Sequence, residues 1–183
     1  MDEKKAIAML KSGNISGLRI LVELFQDKAV RIAALITGDP EDAKDIVQNG
    51  FIKVYEKIHQ FDLNRPFQPW FFRIITNDSI KAINRKNRNT SIDNDFESNY
   101  EIFPDPDPLP EKIVEINQTK QFVWYALSQL SPKQRTVIVY RYFLELKETE
   151  IAKVLRIPLG TAKWRLHRAR NHLEKLLSDV SAR

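Results

Sequence analysis

Apolar positions recur at three- and four-residue spacing along most of the chain, and no segment sustains the alternation of a strand. Ile15, Leu18, Leu21, Val22, Phe25, Ala29, Ile32, Ala33 and Ile36 predict a helix over 15–37, which Gly38 stops. Asp39-Pro40-Glu41-Asp42 opens the next helix: Asp as N-cap, Pro at the first helical position, acids in the first turn. From there Ala43, Ile46, Val47, Gly50, Phe51, Val54, Tyr55 and Ile58 form one broad apolar face, with Asp42, Asp45, Gln48, Asn49, Lys53 and Glu56 off its centre. A further helix is expected over 67–88, and another from about 111 to 129. Ser131-Pro132-Lys133-Gln134 has the form of a capping box and opens a helix carrying Val137, Ile138, Tyr140 and Tyr142. Two last helices, 147–155 and 159–177, meet at Arg156-Ile157-Pro158, which makes a helix-turn-helix pattern.

Residues 89–110 interrupt this run. Pro104, Pro106, Pro108 and Pro110 alternate with other residues, which holds the backbone extended and denies a helix. A structureless stretch this long is uncommon within a compact domain. The expected fold is therefore all-α, with two small helical domains joined by an extended Pro-rich linker, the second with a helix-turn-helix. The expected boundaries are 1–90, a linker over 91–118 with a helix of the next domain starting near 111, and 119–183. The two halves differ in pattern, so no internal repeat is present.

Charge sharpens that division. The 183 residues carry 29 Lys and Arg against 24 Asp and Glu, a net charge of +5. Residues 1–90 hold +4, residues 91–118 hold −7, and residues 119–183 hold +8. Two basic domains thus flank an acidic linker, a balance that suits a polyanionic partner. The chain has no Cys, which excludes disulfides, thiolate metal sites and a cysteine nucleophile. Of the three His, His59 lies far in sequence from His167 and His172, so no zinc site is expected, and no cofactor is expected either. No apolar run approaches ~20 residues, so no stable membrane insertion is expected. The apolar stretch after Met1 is too short for a secretory signal, which leaves a cytoplasmic protein as the expectation.

The last helix bears a candidate interface. At 100° per residue, Ala162, Leu166, Ala169, Leu173, Leu176 and Leu177 share a stripe that should be buried. Gly160, Trp164, His167 and Asn171 fall opposite, with Arg168 close by, Lys163 on one edge and Thr161 and Arg165 toward the other. A basic, hydrogen-bonding face opposite a core stripe suits a recognition helix in the major groove. The 67–88 helix packs Phe67, Trp70, Phe71 and Phe72 into six positions, followed by Arg73, Asn77, Lys81, Arg85, Lys86 and Arg88. Two readings of it stay open: bases stacking on rings while cations meet phosphates, or an aromatic core helix with a basic end.

Two blocks of sequence then carry a resemblance. The first runs Glu41-Asp42-Ala43-Lys44-Asp45-Ile46-Val47-Gln48, Phe51-Ile52-Lys53-Val54-Tyr55, and Phe61-Asp62 through Arg65-Pro66-Phe67 and Trp70-Phe71-Phe72-Arg73-Ile74 to Asn77. The second runs Ala126-Leu127, Leu130-Ser131-Pro132, Gln134-Arg135, Glu150-Ile151-Ala152, Ile157-Pro158, Gly160-Thr161 and Arg165-Leu166-His167-Arg168-Ala169-Arg170. In this order and separation they resemble the extracytoplasmic-function group of sigma-70 family sigma factors, subunits of bacterial RNA polymerase. The resemblance implies a protein that is not an enzyme: a sigma factor that binds core RNA polymerase and directs promoter-specific initiation. Asp42, Asp45, Gln48 and Asn49 match the polymerase-docking face. Phe61, Asp62, Asn64, Arg65 and Phe67 match the loop that captures a flipped base of the melted minus-ten strand, with Trp70, Arg73, Asn77, Lys81 and Arg85 on the helix behind it. Pro158, Gly160, Thr161, Lys163, Trp164, Arg165, His167 and Arg168 match the positions that read the minus-thirty-five element as duplex. The implied partners are core RNA polymerase, promoter DNA and an anti-sigma factor, which could hold the protein at the inner membrane face. Asn49-Gly50 stands where the family usually shows Glu-Thr, Trp164 where Ser is common, and Ala162 where Val is common. Residues 1–14 match nothing.

The linker fits that role. The two promoter elements lie roughly 70–85 Å apart at 34–36 Å per turn, and about 25 extended residues reach ~80 Å. The competing readings explain less. A helix-turn-helix repressor acting alone accounts for 119–183 but leaves helices 39–58 and 67–88 without a purpose. A metal-dependent nuclease built on Asp39, Asp42 and Asp45 is unnecessary, since capping explains acids at a helix start. No phosphate-binding glycine loop and no Ser-His pair appears.

Overall fold

The computed structural model describes residues 3–89 and 122–181. Every regular element among them is helical. The proline-rich linker, and the part of the expected 111–129 helix before residue 122, lie outside the described residues.

The chain opens with a helix that the sequence did not announce, α1 (Glu3–Lys11). Nine residues are too few for a stable helix in water, so burial of Ala6, Ile7 and Leu10 has to hold it. It lies on α2 (Ser16–Thr37) at Gly17, where an added Cβ would sit 2.7 Å from the Leu10 nitrogen and strike the Ala6 carbonyl. Only a hydrogen allows that approach. Ile15, expected on the apolar face of this helix, instead precedes it and is exposed. Gly38 ends α2 in the left-handed conformation at φ 78°, its N–H donating to the Ala34 carbonyl over 2.8 Å.

In α3 (Pro40–Lys57) the expected cap forms: the Asp39 carboxylate accepts from the Glu41 and Asp42 N–H groups at 3.0 and 3.1 Å. Ala43, Ile46, Val47, Phe51 and Val54 are buried, but Tyr55, about 100° round the helix from Val54, is exposed. A Cβ at Gly50 would collide with the Ile75 side chain of α4 (Phe67–Asn89). That close crossing accounts for a glycine that otherwise costs ~1 kcal/mol inside a helix. A 3-10 turn, Ile58–Gln60, leads into the loop before α4. Phe25, Phe51, Phe61, Phe67, Phe71 and Phe72 interlock, with centroid separations from 4.7 to 6.2 Å. Each such side chain contributes roughly 1.5–3 kcal/mol by leaving water. The aromatic half of α4 is therefore core, which decides between the two readings of Phe67, Phe71 and Phe72.

The second domain is built from α5 (122–128), α6 (Pro132–Ile138), α7 (Glu148–Leu155) and α8 (Leu159–Ser181). The capping box forms as expected: Gln134 N–H donates to Ser131 Oγ, and Ser131 N–H to Gln134 Oε1 at 3.1 Å. A π-helical turn, Val139–Phe143, continues α6. Arg156 takes a left-handed conformation at φ 53° and turns the chain from α7 toward α8. Ala162, Leu166 and Ala169 are fully buried and Leu173 partly so, against Val137, Tyr140, Ile151 and Ala152. Leu176 is half-buried, and the Leu177 side chain lies outside the described residues.

The two domains pack on each other. Arg135 Nη1 donates to the Ile36 carbonyl at the end of α2 over 2.7 Å, while Nη2 donates to the carbonyls of Ser128 and Leu130. One guanidinium thus satisfies carbonyls at the C-terminal ends of two helices, one from each domain, where a cation also complements the helix dipoles. The hydroxyls of Thr76 and Tyr140, both buried, lie 2.9 Å apart. Val139 joins the first domain's core.

Candidate nucleic-acid interface

The loop between the 3-10 turn and α4 stands on two aromatic posts. Phe61 and Phe67 are both buried, with ring centroids 5.6 Å apart, and Trp70 packs 5.0 Å from Phe61. Their rings belong to the core and support the loop. Between them Asp62, Leu63, Asn64, Arg65 and Pro66 are all exposed. Asp62 folds this crown: its Oδ1 accepts from the Asn64 N–H at 3.0 Å, its carbonyl accepts from the Arg65 N–H at 3.0 Å, and its Oδ2 lies 3.4 Å from Arg65 Nε. Leu63, 55% exposed at the crown, is an apolar surface that helical periodicity had no means to mark.

Behind the crown, Arg73, Asn77, Lys81 and Arg85 follow each other at four-residue spacing along α4, so they share one side of it. Asn77, Lys81 and Arg85 are exposed. Lys81 lies 4.0 Å from Asp78, which also holds Lys53 at 2.6 Å. An open groove of about 600 Å³ between α3 and α4 is bordered by Ile46, Asn49, Lys53, Asp78, Lys81, Ala82 and Arg85. Arg73 is half-buried against the second domain. Burial, then the like charge of Arg156, push its guanidinium below the ordinary value; Tyr140 opposes them, and Arg65 adds the smallest push in the same direction as Arg156.

On α3, Asp45, Gln48 and Asn49 are exposed, as a docking face requires. Asp42 differs: its Oδ2 pairs with Lys86 of α4 at 2.6 Å, and the same ammonium reaches Asp39 at 2.8 Å. Two apolar residues extend this face: Tyr55, which the period assigns to the core, and Ile52, which it assigns to no face. Ile52 and Tyr55, 49% and 50% exposed, continue the line of Asp45 and Gln48 at helical spacing.

The outer face of α8 matches the calculated one. Gly160, Lys163, Trp164, His167 and Arg168 are exposed, Thr161 and Arg165 half-buried, and Pro158 exposed in the turn before it. Trp164 is 59% exposed, and the Arg168 guanidinium lies 5.6 Å from its ring centroid, within cation–π range. His167 Nε2 and Asn171 Nδ2 are 3.2 Å apart. Nothing lies within 4 Å of where a Gly160 side chain would begin, so the start of α8 is open to a close approach.

A basic helix-turn-helix domain joined to a second helical domain defines a regulatory DNA-binding protein. Residues 21–89 match the family Sigma-70 region 2, and residues 123–173 match Sigma-70, region 4. The ECF RNA polymerase sigma factor SigW of Bacillus subtilis is 34% identical over 182 residues, covering 97% of each chain. The fold is shared with CnrH, solved in complex with the cytosolic domain of CnrY, at a TM-score of 0.69, 24% identity and coverage of 97% and 99% of the two chains. It is also shared with RpoE of Bartonella quintana, solved with the anti-sigma factor NepR, at a TM-score of 0.70, 24% identity and coverage of 87% and 96%. The chain belongs to the extracytoplasmic-function group of the sigma-70 family, whose activity is promoter-specific transcription initiation with RNA polymerase. Among the described residues, no helix is long and apolar enough to cross a membrane.

Proposed function

We propose that the two domains read two promoter elements in different states. The second reads the minus-thirty-five element as duplex through α8, with Pro158, Gly160, Thr161, Lys163, Trp164, Arg165, His167 and Arg168. The first holds the melted minus-ten strand on the crown of Asp62, Asn64 and Arg65 and on the α4 line of Arg73, Asn77, Lys81 and Arg85. Phe61, Phe67 and Trp70 act from below, as the posts of that crown. The outer face of α3, with Asp45, Gln48, Asn49, Ile52 and Tyr55, docks on core polymerase, while Asp42 steadies α3 against α4 through Lys86.

The observation that carries this reading is the pairing of an exposed, hydrogen-bonded crown on aromatic posts in one domain with an exposed basic helix in the other. A crown of this kind has no place in a repressor that reads duplex alone. An anti-sigma factor is the expected inhibitor, since CnrH and RpoE were solved with CnrY and with NepR, and the site of action is the cytoplasm, where polymerase works. The domain contact described above must open before both elements are read together, because they lie roughly 70–85 Å apart. The proposed boundaries 1–90, 91–118 and 119–183 give the linker that separation.

Run-off transcription with purified core polymerase on a promoter library tests the reading. The expected result is initiation at a subset of templates that share one duplex element and one melted element at fixed spacing. Tight, sequence-specific repression of those templates without polymerase, and no initiation with it, would overturn it.

A further inference from the structure

Helix α1 lies outside both matched family segments, the first of which begins at residue 21, yet it ends against the minus-ten loop. Lys11, the last residue of α1, donates from Nζ to the carbonyl of Phe61 over 2.7 Å, in a half-buried setting fifty residues away in sequence. A cation at a helix C-terminus is already favoured by the helix dipole, so the ammonium is held there from both sides. The carbonyl it takes belongs to the peptide that joins the buried Phe61 to the crown. The Phe61 N–H is tied to Ile58 at 3.0 Å, and the Phe61 ring is fixed in the core. The crown is itself stiffened by the Asp62 bonds to Asn64 and Arg65. Rotation of the peptide after Phe61 is therefore the motion by which the crown could tilt as a unit, and Lys11 holds that peptide.

The other end of this support is equally firm. Leu10, next to Lys11, is buried, and the Gly17 crossing presses α1 onto α2. We propose that α1 is a brace for the minus-ten loop, with Lys11 as a positioning residue that sets the tilt of the crown and so the fit of the captured base. This rests on the reading of residues 61–67 as the base-capturing loop.

The test uses the full chain with core polymerase, Lys11→Met, which keeps the stem and removes the charge, and Lys11→Arg, which restores a donor. Asn64→Ala, in the crown itself, checks the underlying reading. The readouts are minus-ten base preference on a promoter library, the rate of promoter melting reported by a fluorescent base analogue in the minus-ten strand, and amide exchange of residues 62–66 in the free protein. With Lys11→Met, melting slows about three- to tenfold, the net size expected from one ordinary, partly solvated hydrogen bond. Discrimination among minus-ten bases flattens, the crown amides exchange faster, and the minus-thirty-five preference stays as it was; Lys11→Arg recovers most of each. A lowered melting temperature with unchanged base preference and crown exchange would make Lys11 merely structural and overturn the proposal. If Asn64→Ala shifts the minus-ten preference and Lys11→Met does not, the brace fails while the loop reading stands. If Asn64→Ala also leaves the preference unchanged, the loop reading falls and the brace with it.

Discussion

Tyr140→Phe takes one oxygen out of the contact between the two domains and little else. Its ring stays in the second domain's core, so that domain should remain folded. The partner it abandons, Thr76 Oγ1, is buried in the first domain, 2.9 Å from the lost hydroxyl. A buried polar group left without its partner costs ~1–3 kcal/mol. Opening the domains returns Thr76 to water, so this cost falls on the closed arrangement alone. The ratio of closed to open molecules should drop by about five- to 150-fold. Adding Thr76→Val replaces the orphaned hydroxyl by a methyl of the same shape, and removing both partners is nearly neutral. The double variant should therefore close again. The absence of cysteine makes the assay clean: Glu56→Cys on α3 and Lys175→Cys on α8, both exposed, accept a pair of labels whose separation reports the domain arrangement. Tyr140→Phe should move the distance distribution outward, and Thr76→Val should move it back. An unchanged closed fraction in Tyr140→Phe would refute the claim that this hydroxyl pair holds the domains together.

Other perturbations address the separate surfaces. Asp45→Arg with Gln48→Ala should weaken association with core polymerase while the unfolding free energy stays within about 0.5 kcal/mol of the parent's, because both side chains are exposed; a pull-down that retains full association would remove α3 as the docking face. Trp164→Ser should change the preferred base at one minus-thirty-five position, by ~1–3 kcal/mol of discrimination, with little effect on stability. The same selected sequence together with a large fall in melting temperature would make Trp164 structural. The full chain without polymerase should bind promoter duplex weakly and lose it as salt rises, through phosphate contacts; tight specific binding at physiological salt would favour the repressor. Desolvation alone would raise the Asp39 carboxyl, but the Lys86 hydrogen bond and two backbone N–H groups outweigh it and hold it below the ordinary value. Its stabilisation is thus present above the unfolded value of ~3.9 and lost as pH falls through the folded value. Lys86→Met should flatten the melting-temperature profile on that acid side, and an identical acid slope would dismiss the ion pair.

Much of the helical framework is local physics, and so it was legible in one dimension. The Asp39 cap, the Ser131–Gln134 box and the Gly38 stop each satisfy backbone groups within four residues, so their residue types mark the helix ends directly. The turn between α7 and α8 and the burial of Ala162, Leu166 and Ala169 followed from spacing alone, which also left Trp164 outside. Spacing did not decide how wide each buried face would be. Tyr55 and Ile15 look like core by period but are exposed, Ile15 because it precedes its helix, whereas Phe67 offers a ring for base stacking and is sealed among other rings. Nor could it foresee pairings between distant residues. Lys86 reaches Asp39 across 47 positions, Lys11 reaches Phe61 across 50, Tyr140 meets Thr76 across 64, and Arg135 caps Ile36 across 99. No periodicity connects such pairs, because each depends on where two separately formed helices come to rest. Apart from α1, the helices of the described residues, several of their ends and the basic face of α8 follow from local pattern. That Asp42 turns inward to Lys86, that Lys11 reaches the Phe61 carbonyl, and that Arg135 and the Thr76–Tyr140 hydroxyls join the two domains depends on how the helices pack.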